Sequence, residues 1–327
     1  MIRAVILAGG EGTRLRPLTY ATPKSLLPIA NIPFLQHQLW TLARHGITTA
    51  TLLTGYLAGA FDPFIDAMAA EGIMLDVSRE EQPLGTCGAV RSIRDRLDGT
   101  TIVFNGDVLT DLDLTEMLAA HRARGAALSI ALKPVADAGP YGLVPTDDRG
   151  RVEAFLEKPP PPVAALGGNI NAGTYVLEPD VLDDVPSGTP WSFERQLFPA
   201  LVEAGAPVYG FVSPAYWLDI GTPERYRQAH WDLIDGKSSS FRPADFDVRG
   251  GCVLVGRDCT VAPDAVLGPR ASFGNGCVIE AGATVRGAVL LDDVRIGEGA
   301  TIVDAILGAG FVARAGDRIQ DSIRSAE

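Results

Sequence analysis

Seven apolar residues near the C-terminus, Val255, Val261, Leu267, Phe273, Ile279, Val285 and Leu291, recur at six-residue intervals. Six matches neither the two-residue alternation of an ordinary strand nor the roughly 3.6-residue turn of a helix. It fits a chain that makes one short strand and one corner per repeat, with coils stacked so that each apolar residue is buried against its equivalent in the next. A second column lies two positions earlier: Val253, Cys259, Ala265, Ala271, Cys277, Ala283 and Val289 are all small or β-branched. Gly256, Ala262, Gly268 and Gly274 follow the first four apolar positions. After Leu291 the register slips by one residue, resuming at Ile296 and Ile302 and slipping again at Leu307, as an edge bulge or a frayed last coil would produce. A β-sandwich would instead show period-2 strands with turns about every 8–12 residues.

The preceding two thirds of the chain read differently. Apolar runs at Ala4–Leu7, Ala50–Thr54, Met74–Ser78, Thr101–Phe104, Ala127–Leu132, Asn171–Leu177 and Pro207–Val212 alternate with helical patterns, the signature of an α/β sheet with crossover helices. Pro33 opens one helix that runs to Arg44 and stops at Gly46; a second spans Leu114–Arg124 and stops at Gly125. At roughly 150 residues per domain, 327 residues make about two domains. The expected boundaries are a 1–235 α/β domain, a small polar linker over 236–247 around Gly236-Lys237-Ser238-Ser239-Ser240, and the repeat domain at 248–327.

Twenty-eight basic against forty acidic side chains leave a net charge of −12, so no broad surface for nucleic acid or anionic membrane is expected, although a basic pocket is compatible with it. Four cysteines without C-x-x-C spacing and four scattered histidines give no zinc site and no disulfide framework. His37, His45, His121 and His230 read as packing or surface residues. No apolar run reaches the length of a membrane span or signal core, and cytoplasmic placement is the expectation.

The sharpest local signal is Leu7-Ala8-Gly9-Gly10-Glu11-Gly12-Thr13-Arg14-Leu15-Arg16-Pro17, followed by Pro23-Lys24. A glycine-rich turn directly after the first strand lets backbone N–H groups approach phosphate oxygens. The P-loop ending Gly-Lys-Ser/Thr is absent, and Leu15 occupies the third glycine position of the dinucleotide fingerprint. Arg14 and Lys24 instead place positive charge beside the turn. Asn105-Gly106-Asp107 puts a carboxylate at the C-terminal end of an apolar strand, where open α/β sheets bind ligands.

Taken together these segments resemble the sugar-1-phosphate nucleotidylyltransferases, and among them the mannose-1-phosphate guanylyltransferases; the six-residue repeat resembles that of left-handed parallel β-helices. The resemblance implies a Rossmann-like nucleotidyltransferase domain with a mixed, mainly parallel sheet, followed by a hexapeptide β-helix. It implies nucleotide contacts from Leu7, Ala8, Gly9, Gly10, Gly12, Thr13, Arg14, Lys24, Asn105 and Gly106. Gln82-Pro83-Leu84-Gly85-Thr86-Cys87-Gly88-Ala89 is similar to the family's base loop, with Gln82, Gly85 and Thr86 as contacts and Cys87 where alanine is usual. Gly142, Glu157, Lys158 and Asn171 match the positions that hold the sugar phosphate. Asp107, with Asp219 in Trp217-Leu218-Asp219-Ile220-Gly221-Thr222-Pro223, matches the Mg²⁺ carboxylates. Arg14, Lys24, Asp107, Lys158 and Asp219 are thereby the expected catalytic residues. The chain has only four lysines, and two of them, Lys24 and Lys158, fall in these motifs; a compact ammonium suits a tightly held phosphate.

The implied reaction joins an NTP and a sugar 1-phosphate into an NDP-sugar and pyrophosphate. Thymidylyltransferases acting on glucose 1-phosphate, and guanylyltransferases for another sugar or a cyclitol phosphate, are alternatives. A catalytically silent regulator would be expected to lack Lys24, Asp107, Lys158 or Asp219, all of which are present. An acyltransferase would need a histidine in the repeat domain, and none follows Ile234. The repeat domain is therefore expected to serve as an assembly or regulatory surface, with homo-oligomers formed through it.

Overall fold

The computed structural model describes residues 2–239, 247–250 and 252–326. It divides into two compact units that cut across the sequence boundary at 235. One comprises residues 1–10, 39–108 and 112–217; the other comprises 11–38, 109–111 and 218–327.

The first unit is built on a nine-stranded mixed sheet: β1 (Arg3–Leu7), β2 (Thr49–Thr54), β3 (Met74–Arg79), β4 (Thr101–Asn105), β5 (Leu128–Val135), β6 (Gly142–Leu143), β7 (Leu156–Glu157), β8 (Gly168–Leu177) and β9 (Val208–Val212). Its order is β7-β6-β8-β4-β1-β2-β3, with β5 paired to both β8 and β9. The run β4-β1-β2-β3 is parallel, with Leu7 beside Leu53 and Asn105. The loops after these strands therefore gather at one edge, the edge at which open α/β sheets in general bind ligands. Strand β8 runs antiparallel to β4 and β5 and breaks register between Asn171 and Tyr175. Gly173, at φ 71°, makes that bulge possible.

Tyr175, Phe193 and Phe198, all fully buried, pack their rings 5.0–5.5 Å apart at the centre of this core. Gly142–Leu143 and Leu156–Glu157 are too short to register as periodic sequence, so the expectation of seven strands misses them.

In the second unit the six-residue reading becomes geometry. Three parallel stacks form: Val253–Val255, Ala271–Phe273, Ala288–Leu290, Ile306–Leu307 and Ile323–Arg324; Thr260–Val261, Val278–Ile279, Arg295–Ile296 and Val312–Ala313; and Val266–Leu267, Thr284–Arg286, Thr301–Val303 and Arg318–Gln320. Asp247–Arg249 adds one antiparallel strand against Val253–Val255. Val253 pairs with Ala271 and Ala271 with Ala288, so the coil shortens from eighteen residues to seventeen and holds that length to Ile323.

The shortening corrects the seventh repeat. The pair facing the interior is Ala288 and Leu290, not Val289 and Leu291. The corner before it has lost a residue: Gly268-Pro269-Arg270, between Leu267 and Ala271, becomes Arg286-Gly287, between their partners Val285 and Ala288, in the next coil. Neither a bulge nor fraying is involved. Corner residues in the left-handed region stack coil on coil, as Arg270, Gly287, Asp304 and Asp321, and as Asp258, Gly276, Asp293 and Gly310. Glycine and aspartate are among the residues that tolerate this backbone best.

Of the expected linker, residues 240–246 lie outside the described residues. Gly236 to Ser239 are tied down: the Lys237 N–H donates to the Asp232 carbonyl at 2.8 Å and the Ser239 N–H to Asp111 Oδ2 at 2.7 Å. Among the described residues no helix is long and apolar enough to cross a membrane. His37, His121 and His230 are buried packing residues.

Candidate active site

In the first unit, Leu7 ends β1 and the Ala8 N–H donates to the Leu53 carbonyl at 2.8 Å, directing Gly9 and Gly10 out of the sheet. Asn105 ends β4, and the Gly106 N–H donates to the Leu7 carbonyl at 3.0 Å. A methyl group at Gly106 would collide with that carbonyl oxygen. Glycine is therefore required for Asp107 to follow where it does.

The base-loop segment starts the helix Gly85–Arg91. Cys87 and Gly88 N–H groups donate to the Trp191 carbonyl at 2.9 and 3.0 Å, and Trp191 N–H donates back to Leu84. Side chains at Gly85 or Gly88 would strike Trp191 and Thr189 backbone. Cys87 is fully buried, and burial, then the Glu194 charge, pushes its thiol up to about 12. It serves as a small apolar filler, as the usual alanine would.

Sequence reasoning missed Glu80, one residue after β3. Its N–H donates to the Thr54 carbonyl at 2.7 Å. A methyl at Gly9 or Gly55 would lie 3.3 or 3.6 Å from its Oε2. Desolvation raises its pKa, opposed by a hydrogen bond from the Leu84 backbone. Its Oε1 is buried without a partner among the described residues.

The expected sugar-phosphate residues come together in this unit. Glu157 on β7 pairs with Gly142 on β6, and a methyl at Gly142 would lie 3.0 Å from Glu157 Oε2. Desolvation and then the neighbouring Glu194 charge raise the Glu157 pKa, while Lys158 and Arg195 lower it. Lys158 holds φ 52°, unusual for a side chain of its length, and its N–H donates to the Tyr141 carbonyl. Asn171 sits at the β8 bulge; its Nδ2 donates to the Tyr175 hydroxyl at 2.9 Å and its Oδ1 accepts from the Gly173 N–H at 3.0 Å.

Glu194, also missed, collects three donors: Tyr175 Oη at 3.1 Å, Thr86 Oγ1 at 3.0 Å and Ser192 Oγ at 2.7 Å. Through Tyr175 it thereby ties Thr86, an expected base contact, to Asn171, an expected sugar-phosphate contact. Only the fold brings residues 86, 171 and 194 together. The other two lysines do structural work: Lys133 donates to the Pro214 and Ala215 carbonyls, and Lys237 pairs with Asp232.

The second unit carries the remaining residues. Gly12, at φ 61°, opens the short turn Thr13–Leu15. A methyl there would lie 2.9 Å from Lys24 Cβ and 3.0 Å from Thr19 Cγ2, so the lysine stem is packed on the glycine turn. Thr19 Oγ1 donates to the Gly12 carbonyl at 3.0 Å.

Asp219 Oδ1 accepts from the Gly221 N–H at 2.7 Å, and its Oδ2 lies 3.5 Å from Arg225 Nη1. A methyl at Gly221 would fall 2.6 Å from Arg14 Nη2 and 2.8 Å from Asp219 Oδ1. Arg14 and Asp219 thus flank one glycine, and Arg225, absent from the sequence reading, joins them. Thr222 caps the helix Pro223–Ile234 that fixes this arrangement. Among the described residues there is no cluster of three or more His, Cys, Asp or Glu able to cage a metal. Asp107 and Asp219 are hard oxygen donors of the kind Mg²⁺ uses one or two at a time, with substrate phosphates completing its shell.

Comparison with known proteins gives these features a context. The nucleotidyl transferase family model matches residues 3–236, and the GMPPB C-terminal domain matches residues 249–326. The chain is 41% identical to the mannose-1-phosphate guanylyltransferase of Mycobacterium tuberculosis, over 92% of this chain and 83% of that one. It is 36% identical to the probable mannose-1-phosphate guanylyltransferase 2 of Arabidopsis thaliana, over 94% and 86% of the two chains. The crystal structure of HddC from Yersinia pseudotuberculosis complexed with GMP-PN is similar with a TM-score of 0.60 and 32% identity, covering 70% of this chain and 98% of that one. The chain belongs to the nucleotidyl transferase family, as a nucleotide-sugar-forming nucleotidyltransferase that carries a C-terminal β-helix of the GMPPB type.

Proposed function

We propose that this enzyme joins GTP and mannose 1-phosphate into GDP-mannose and pyrophosphate. The observation that carries the reading is the pairing of Glu157 with Gly142 beside Lys158 and the Asn171 bulge. Hydroxyl acceptors adjoin an ammonium there, as a sugar carrying a phosphate requires. For the base, Glu80 sets its Oε2 beside Gly9, and its Oε1 is buried without a partner among the described residues. Guanine alone among the common bases offers two adjacent donors, N1–H and N2–H, to such a group. The names of the relatives point the same way.

The attacking phosphate oxygen is already ionised, so the reaction needs no general base. What opposes it is the approach of two anions. In this reading Arg14 and Lys24 neutralise the nucleotide's phosphates, Lys158 neutralises the sugar phosphate, and both partners are held in line. Asp107 and Asp219 would hold Mg²⁺, which when bound withdraws charge from the phosphoryl oxygens. Homo-oligomerisation through the β-helix and cytoplasmic placement belong to the same proposal; sedimentation as a monomer at micromolar concentration would remove the first.

The test is pyrophosphate release across five nucleoside triphosphates and a panel of sugar 1-phosphates. The expected maximum of kcat/KM lies at GTP with mannose 1-phosphate, with at least tenfold preference over dTTP with glucose 1-phosphate. A maximum at any other pair overturns the assignment.

A further inference from the structure

The β-helix shares a compact unit with residues 11–38, and the contact that joins them is unusual. Pro28–Ile29 and Ile32–Pro33 form a tiny hairpin whose two turn residues, Ala30 and Asn31, both have positive φ, 48° and 64°. That mirror-image turn favours Asn-Gly or Gly-Gly, and alanine in its first position is strained. Such strain persists only where surroundings over-determine it, and here they do.

The Ala30 N–H donates to His230 Nδ1 at 3.2 Å, which also accepts from Ser272 Oγ at 3.0 Å. Asn31 Nδ2 donates to the Phe273 carbonyl at 2.7 Å. The Tyr226 hydroxyl donates to the Pro28 carbonyl, and His37 Nε2 donates to the Ile29 carbonyl at 3.1 Å. Ile29, Ala30, His37, Tyr226 and Ser272 are all fully buried. The hairpin tip is thus seated on the strand Ala271–Phe273 and the helix Pro223–Ile234.

No slack separates this seat from Lys24. The Leu27 N–H donates to the Lys24 carbonyl at 3.2 Å, and the Leu27 carbonyl accepts from the Phe34 N–H at 3.0 Å. Lys24 itself packs on Gly12. We propose that Asn31, with His230 and Ser272 behind it, is a positioning residue: by anchoring the hairpin tip to the β-helix it fixes the Lys24 ammonium for phosphoryl transfer. The β-helix then serves as part of the catalytic scaffold. This rests on the assignment of Lys24 to the transfer step made above.

The test is a cycle of Asn31→Gly and Lys24→Ala, assayed with GTP and mannose 1-phosphate. Asn31→Gly keeps a turn that welcomes positive φ and deletes only the anchor. Expected are a kcat at least tenfold lower, a KM for mannose 1-phosphate within twofold, a Tm lowered by no more than a few degrees and faster amide exchange across residues 24–27. Lys24→Ala is expected to lose on the order of 100-fold in kcat, and the double variant to lose no more than Lys24→Ala alone, because both act through one ammonium. A merely structural anchor would give additive losses.

Wild-type kcat in Asn31→Gly, or additive losses in the double variant, overturns the positioning role. Wild-type turnover in Lys24→Ala overturns the Lys24 assignment itself, and the proposal with it. Should Asn31→Gly fail to fold, Ser272→Ala removes a single hydroxyl behind the same seat and is read by the same cycle and the same criteria.

Discussion

Gly106→Ala puts the positioning of Asp107 to a direct test. The new methyl would overlap the Leu7 carbonyl oxygen and lie 3.0 Å from the Leu7 carbonyl carbon and 3.3 Å from Ala8 Cα. These are backbone atoms in the core of a parallel sheet and cannot rotate aside. Relief requires the ends of β1 and β4 to part by roughly 1 Å, a displacement that can cost about 100-fold when it misplaces reacting groups. That equals about 2.7 kcal/mol in activation free energy. The same movement breaks the Gly106–Leu7 hydrogen bond, worth ~1 kcal/mol net, and adds overpacking of about 1–3 kcal/mol. A fall in Tm of several degrees should therefore accompany the loss of kcat. Steady-state pyrophosphate release and a thermal melt on one preparation read both. Gly59→Ala is the control, because nothing lies within 4 Å of its added methyl. A Gly106→Ala enzyme with kcat within threefold of wild type and an unchanged melt would refute the steric argument.

Asp107→Ala and Asp219→Ala should melt near the wild-type temperature yet lose on the order of 100-fold in Mg²⁺-dependent kcat; turnover that survives EDTA would dismiss both as metal ligands. Glu194→Gln removes a charge that raises the Glu157 pKa, so the acid limb of kcat/KM for the sugar phosphate should move to lower pH, and an unmoved or raised limb would count against that pairing. Burial, chiefly, lowers His230 from 6.5 to about 3. As pH falls below 6.5 the unfolded chain therefore takes up a proton that the folded one refuses. Stability should decline steadily through this site as pH falls from 6.5 to 4.5, by an amount on the order of a few kcal/mol. Denaturant melts of wild type and His230→Gln compared from pH 7 to 4.5 should show the variant's slope flattened; parallel slopes would contradict it.

The sequence reveals most where the physics is local and periodic. Six-residue spacing exposed the coils because each one repeats the same burial, and it failed only at Ala288 and Leu290, where a corner loses one residue. Glycine turns and the carboxylates after strands were legible because φ and sheet geometry restrict them. Glu194 and Glu80 were not, since each acquires its meaning from a residue far away in the chain, Thr86 for Glu194 and Gly9 for Glu80; Arg225 meets Asp219, six residues back, only because a turn and a helix start fold between them. The seat of Ala30 and Asn31 was hidden for the same reason, because a buried histidine two hundred residues downstream is what steadies the strained turn. A hint was present in Asn31 itself, a residue common at positive φ, but alanine before it argues against such a turn.

A uniform coil length after Ala271 makes the tail a quantised spacer. Removing residues 289–305 would bring Ile306 into the place of Val289 with every inward side chain in phase, whereas a cut inside the strand one residue longer or shorter would turn the following side chains outward. Evolution or an engineer can therefore lengthen or trim this arm in whole rungs of seventeen or eighteen residues, with a single odd residue taken up at a corner as it is between Val253–Val255 and Ala288–Leu290.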